Sequence, residues 1–157
     1  MSVKNMNRII AAISTLMLFS CEDTEIVPEF ADDSSIKSIE GTWKAEYFYD
    51  LSATEKIEKT RDNSWGYDIE ITFQENALDS SFFGKNTTNQ ITGQYAYRGQ
   101  RKIEVLNLSS TFANQPAWAN KFVDAILDDT VSFAVDKSTL RLYYEDSTKY
   151  ISLEKIR

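Results

Sequence analysis

Tyr67-Asp68-Ile69-Glu70-Ile71-Thr72-Phe73 alternates a large apolar residue with a polar one at every step. In an extended chain successive side chains point to opposite faces. Tyr67, Ile69, Ile71 and Phe73 therefore share one face, and Asp68, Glu70 and Thr72 the other. A helix would scatter the same apolar residues around its girth. The stretch reads as a half-buried strand. Its neighbours in the sequence keep the same period. Trp43, Ala45, Tyr47 and Tyr49 alternate with Thr42, Lys44, Glu46 and Phe48. Further strands are predicted at Leu78–Phe83, Gln90–Tyr97 and Lys102–Leu108, then at Val131/Phe133/Val135, Leu140/Leu142/Tyr144 and Ile151/Leu153. Within Lys102–Leu108 the pattern changes face around Val105-Leu106, which calls for a bulge or for burial on both sides.

Polar breaks separate the later strands. Arg98-Gly99-Gln100 holds a glycine suited to a tight reversal, and Asp136-Lys137-Ser138 and Glu145-Asp146-Ser147 are turn-rich links. Links this short imply an antiparallel meander at the carboxy end. The basic trio Arg98, Arg101 and Lys102 reads as a solvated hairpin tip in preference to an anion site. One helix interrupts the strands. Pro116 suits a first helical position, where its missing N–H is no loss. Trp118, Phe122 and Ile126 follow at spacings of four, joined by Val123 and Leu127, with Asn120, Lys121, Asp124 and Asp128 on the other side. The fold expected is α+β and β-rich: an antiparallel sheet or partly closed barrel of about eight strands, with one internal amphipathic helix packed on it.

The amino end carries a different signal. Lys4 and Arg8 precede a largely apolar run from Ile9 to Phe19, which ends at Leu18-Phe19-Ser20-Cys21. The run is far shorter than the roughly 20 residues a spanning helix needs, and it fits the apolar core of a signal peptide. Leu-Phe-Ser-Cys resembles a lipobox, in which a small residue precedes a cysteine that is cleaved and acylated. Residues 1–20 are thus expected to be removed, with lipid on Cys21. Residues 21–37 then form an acidic tether, and 38–157 the folded domain. Several acyl chains on one residue anchor a protein stably. Glu22-Asp23 and Glu25 resemble the acidic export tag of surface lipoproteins in Bacteroidetes-type bacteria, or serve only as a solvated tether. The expected location is the bacterial outer membrane, on its periplasmic or surface face.

Composition excludes several chemistries. Loss of residues 1–20, which hold two basic residues and no acidic one, takes the net charge from −7 to −9. That opposes nucleic acid and polybasic lipid binding. Cys21 is the single cysteine and there is no histidine. An acylated Cys21 leaves no disulfide, no thiolate metal site and no thiol nucleophile. The absence of histidine removes the commonest general base and transition-metal ligand. Carboxylates are plentiful, at Glu46, Asp68, Glu70, Glu104, Asp124, Asp128 and Asp129, but nothing in their spacing makes them converge as a hydrolytic pair would. The spaced acidic loop of a calcium site is missing. No cofactor and no metal are expected.

The order of elements resembles the META domain, the family of HslJ-like proteins. Ile39-Glu40-Gly41-Thr42-Trp43 is similar to its opening strand. Asn89 followed by Gly93-Gln94-Tyr95, within Gly84–Tyr95, is similar to its central signature. Leu108-Ser109-Ser110-Thr111-Phe112-Ala113 and the helix after it are similar to its threonine-containing lead into an internal helix. Thr139–Leu142 and Ile151–Glu154 are similar to its closing hairpin. The resemblance implies a fold and little chemistry. Thr88 and Asn114 stand at or near positions where many members carry cysteines, so a disulfide seen elsewhere in the family cannot form here. Gly41-Thr42-Trp43 also resembles the first strand of lipocalins. A lipocalin helix follows all eight strands, however, whereas here it precedes the last three.

With 8 Tyr, 9 Phe and 3 Trp, a binding module is the expected class, because Tyr and Trp join apolar area to a polar handle. Phe48, Trp65 and Tyr143 break the polar side of a pattern or sit in a loop, and are the candidate contact residues. The alternative is that they fill a second small core on the far side of the sheet. The function expected is a non-enzymatic, membrane-anchored envelope domain that binds a partner or supports the envelope. The alternative is a lipocalin-like carrier of a small apolar ligand. A filled interior favours the former, and an apolar cavity of about 300 Å³ or more the latter.

Overall fold

The computed structural model describes residues 35, 37–76, 79–111, 113–129 and 131–157. Cys21, the signal segment 1–20, nearly all of the tether, Leu78 and Phe112 lie outside the described residues. Among the described residues nine strands form one antiparallel sheet: β1 (Gly41–Asp50), β2 (Glu55–Glu58), β3 (Ile69–Glu75), β4 (Ser80–Asn86), β5 (Asn89–Tyr97), β6 (Lys102–Ser110), β7 (Val131–Val135), β8 (Thr139–Tyr144) and β9 (Lys149–Lys155). Two helices, α1 (Arg61–Ser64) and α2 (Ala117–Ile126), complete the elements among the described residues.

The sheet closes on itself. Along one edge β1 pairs with β9 from Trp43 to Asp50. Along the other it pairs first with β3, through Gly41–Lys44, and then with β2, through Tyr47–Asp50. Eight strands therefore make a closed barrel, and β2 is an extra strand beside the far half of β1. Closure leaves the barrel strands no free edge there. The expected strands are present, with β4 running later than expected, to Asn86. β2 and the single turn of α1 are additions that the alternation did not announce.

Ile69, Ile71 and Phe73 face inward and are buried, as the opening stretch requires. Tyr67 does not join them. It precedes β3 and is 46% exposed, with Lys85 Nζ 5.0 Å from its ring centre. The chain turns just before it, at Trp65 (φ 55°) and Gly66 (φ 81°), and this reorients Tyr67. The face change in β6 is a bulge: Gln94 pairs with Asn107 and Tyr95 with Val105, so Leu106 is left over and lies exposed. A second bulge, in β1, is unannounced. Ala45 pairs with Leu153 and Tyr47 with Ser152, so Glu46 is the extra residue.

Helix α2 plugs the barrel. It begins one residue later than expected, with Pro116 as its N-cap. Trp118, Phe122, Ala125 and Ile126 are buried, while Leu127 ends the helix half-exposed. Phe122 and Ile126 meet Ile71 and Phe73 of β3, Phe82 of β4 and Ile103 of β6 around a void of only about 10 Å³. That is room for one water at most. Trp118 meets Phe48 edge-on at 4.6 Å.

Candidate functional site

The signature Asn89/Gly93/Tyr95 is structural. Asn89 is 3% exposed. Its amide donates to the carbonyl of Ala113 (3.1 Å) and to Gln115 Oε1 (2.9 Å), and its oxygen accepts from Thr111 Oγ1 (3.1 Å) and Ala113 N (2.9 Å). Asn86 adds a bond to the Ala119 carbonyl at 3.1 Å. These bonds hold the β4–β5 hairpin against the segment that launches α2. Thr88 Oγ1 donates to the Asn114 carbonyl at 2.9 Å, so a hydrogen bond joins the two places where the resemblance puts cysteines. Gly93 lets β5 pass close to its neighbours, since a Cβ there would lie 2.2 Å from the Asn107 carbonyl oxygen and 2.5 Å from Phe82 Cζ. Tyr95 packs edge-on against Phe73 and Tyr97. Burial, and secondarily Glu75, push its phenol up to about 12.

A similar latch joins the ends of the barrel wall. Trp43 Nε1 donates to the Ile39 carbonyl at 2.8 Å, and Ile39 N donates to the Tyr97 hydroxyl at 3.2 Å. The Tyr97 hydroxyl in turn donates to Glu75. Burial, with the Glu75 bond, holds the Tyr97 phenol well above its ordinary range. Two of the basic trio are likewise occupied: Arg98 pairs with Glu104, and Arg101 Nε donates to the Phe133 carbonyl.

The three candidate contact residues are not brought together. Phe48 is a correction, because it is 2% exposed and lies in the core. The bulge at Glu46 lets two successive residues face outward, and this turns Phe48 inward and Tyr47 outward. Trp65 is 46% exposed at the left-handed C-cap of α1. Tyr143 is half-buried on the outer wall, in an aromatic cluster centred on Tyr150. Tyr49 stacks on Tyr150 at 5.3 Å, and Tyr143 and Tyr47 meet it at 5.4 and 6.1 Å. The Arg141 guanidinium lies 4.8 Å from the Tyr150 ring centre. Burial opposes ionisation of Tyr47, but Ser152, Tyr150 and Arg141 favour it and prevail, so its phenol sits below the ordinary value. This cluster is the second small core on the outer face of the sheet.

Sequence reasoning missed a cleft. The far half of β1, β2, the helix α2 and the β8–β9 turn enclose about 190 Å³. Phe48 and Ile57 supply apolar wall and Tyr144 a hydroxyl, with carboxylates and lysines at the rim. No single segment signals it, because the extra strand and the bulge together create it.

An antiparallel eight-stranded barrel with a helix inserted between its fifth and sixth strands as a plug defines the class. The META domain family model matches residues 37–155, and the chain belongs to that family. Two solved structures share the fold. The NMR structure of a protein from Burkholderia xenovorans is 14% identical, covering 87% of this chain and 97% of that one, with a TM-score of 0.62. The crystal structure of a DUF4847 family protein from Bacteroides vulgatus ATCC 8482 is 20% identical, covering 77% of this chain and 95% of that one, with a TM-score of 0.53. No curated protein matches.

Proposed function

We propose that this META domain protein is a lipid-anchored, non-enzymatic lipoprotein of the bacterial outer membrane that acts by binding an envelope partner at its surface. Lipid on Cys21 holds it to the membrane, and the acidic residues after Cys21 keep the barrel clear of the headgroups. The plugged interior carries the surface-binding reading. A void of about 10 Å³ is far below the roughly 300 Å³ or more of a small-molecule pocket. The lack of histidine and of any thiol beyond Cys21 supports a role without catalysis. The family signature adds weight, since its residues are consumed in hydrogen bonds and packing. Exposed Trp65 is the contact residue this reading retains, while Tyr143 belongs to the second small core on the outer wall.

Two measurements test it. Intact mass spectrometry of the membrane-extracted protein should find an acylated Cys21 as the mature amino terminus, and Cys21→Ala should yield an unprocessed precursor. A mature terminus elsewhere removes the anchor. Titration with a fluorescent fatty acid should show no saturable uptake. Stoichiometric, saturable uptake would restore the carrier reading.

A further inference from the structure

The cleft beside β2 has features of a built site. Tyr144 is 8% exposed and lines it, yet its hydroxyl makes no hydrogen bond with any described residue. Burial, then Glu145, Asp50 and Asp124, push its phenol up to about 12, so it stays neutral and can both donate and accept. Four carboxylates line the same space, those of Asp50, Glu55, Asp124 and Glu145, against the ammonium groups of Lys121 and Lys149. Lys149 is already engaged, 2.6 Å from Glu145 Oε2 and 4.0 Å from Asp50 Oδ2. Asp124 and Glu55 make no ion pair with described residues. The net excess of negative charge over a low-dielectric wall concentrates cations.

We propose that this cleft receives an alkylammonium group, either the side chain of a lysine on a partner protein or a small free amine. The apolar wall of Phe48 and Ile57 suits a methylene stem, as aliphatic stems pack on apolar surface while the head stays polar. The ammonium would reach the Tyr144 oxygen and the Asp124 carboxylate, which have lone pairs to offer it. Aromatic walls add attraction for a cation. A bare metal ion fits less well, because among the described residues no group of three or more carboxylates stands close enough to hold one. An anion is repelled by the carboxylate excess. The inference deepens the surface-binding reading, but it stands apart from the lipid anchor and from the filled interior.

The test is an NMR titration of the full chain in neutral detergent micelles. The probes are n-butylammonium, a blocked Gly-Lys-Gly peptide, and the same peptide with norleucine or acetyl-lysine in the middle. Saturable shifts confined to Tyr144, Asp124 and their neighbours are expected with both ammonium probes and with neither neutral peptide. Tyr144→Phe and Asp124→Asn should each weaken binding about tenfold while the remaining spectrum stays unchanged. Tighter binding of the lysine peptide than of butylammonium assigns a protein partner, and equal binding a free amine. Equal shifts with norleucine, or affinity unaltered by both substitutions, would overturn the proposal. Neither result bears on acylation of Cys21 or on fatty-acid uptake.

Discussion

The two halves of β1 are one strand put to different uses. Gly41–Ala45 lies between β3 and β9 and sends Trp43 and Ala45 into the core. Tyr47–Asp50 lies between β2 and β9, contributes Tyr47 and Tyr49 to the outer cluster, and lends Phe48 to the wall of the cleft. A single bulged residue, Glu46, separates them. The first half completes the barrel, and the second serves both the outer aromatic cluster and the cleft. A one-residue irregularity in a closing strand thus divides it into a half that builds the core and a half that also shapes the outer surface.

The contrast breaks most visibly under truncation. Trp43→Ala and Phe48→Ala should each cost about 3–5 kcal/mol, the usual loss for a buried aromatic. Tyr47→Ala, on the outer face, should cost only about 1 kcal/mol. Urea melts of the three variants check this. A Phe48→Ala loss no larger than that of Tyr47→Ala would place the bulge wrongly. Asn89→Ala should come next, at about 2–3 kcal/mol, because it leaves a buried set of donors and acceptors without partners. The same melts report it.

Alkaline titration probes the barrel interior. The Tyr95 phenol is pushed up to about 12 in the folded protein, against about 10 in an unfolded chain. Between those values the unfolded state has lost its proton while the folded state retains it, so stability falls as pH rises from about 10 to about 12. Below about pH 10 the contribution is fully present. Tyr95→Phe should flatten the decline in melting temperature across that window. An unaltered decline would mean that other phenols, such as Tyr144, cause it. The smallest effect belongs to the bulge itself. Deleting Glu46 should leave every later side chain on its present face, removing an exposed ion pair with Lys44 and about 1 kcal/mol or less. Loss of folding would show instead that the bulge is needed to close the barrel.

Much of this was legible locally. The alternation in Ile69–Phe73, Val131–Val135 and Leu140–Tyr144 names inward residues that are indeed buried, because each pattern is set by neighbours two positions apart. The α2 stripe was legible for the same reason at a spacing of four. The face change at Val105-Leu106 even located a bulge. Phe48 escapes a local reading, because an unbroken alternation through Glu46 puts it on the outer face and nothing in β1 alone contradicts that. The cleft had no local signal, since its walls come from β1, β2, α2 and the β8–β9 turn.

The sequence by itself determined every described strand but β2, the helix α2, their antiparallel order and the family, and it supplied the expectation of a lipid anchor at Cys21. These follow from local periodicity, turn residues and short motifs. Only the tertiary structure decided that the sheet closes, that α2 fills the interior, and which side of β1 its far half presents. Those outcomes depend on β1 satisfying β2, β3 and β9 at once. That is a long-range condition, and no single stretch of the chain records it.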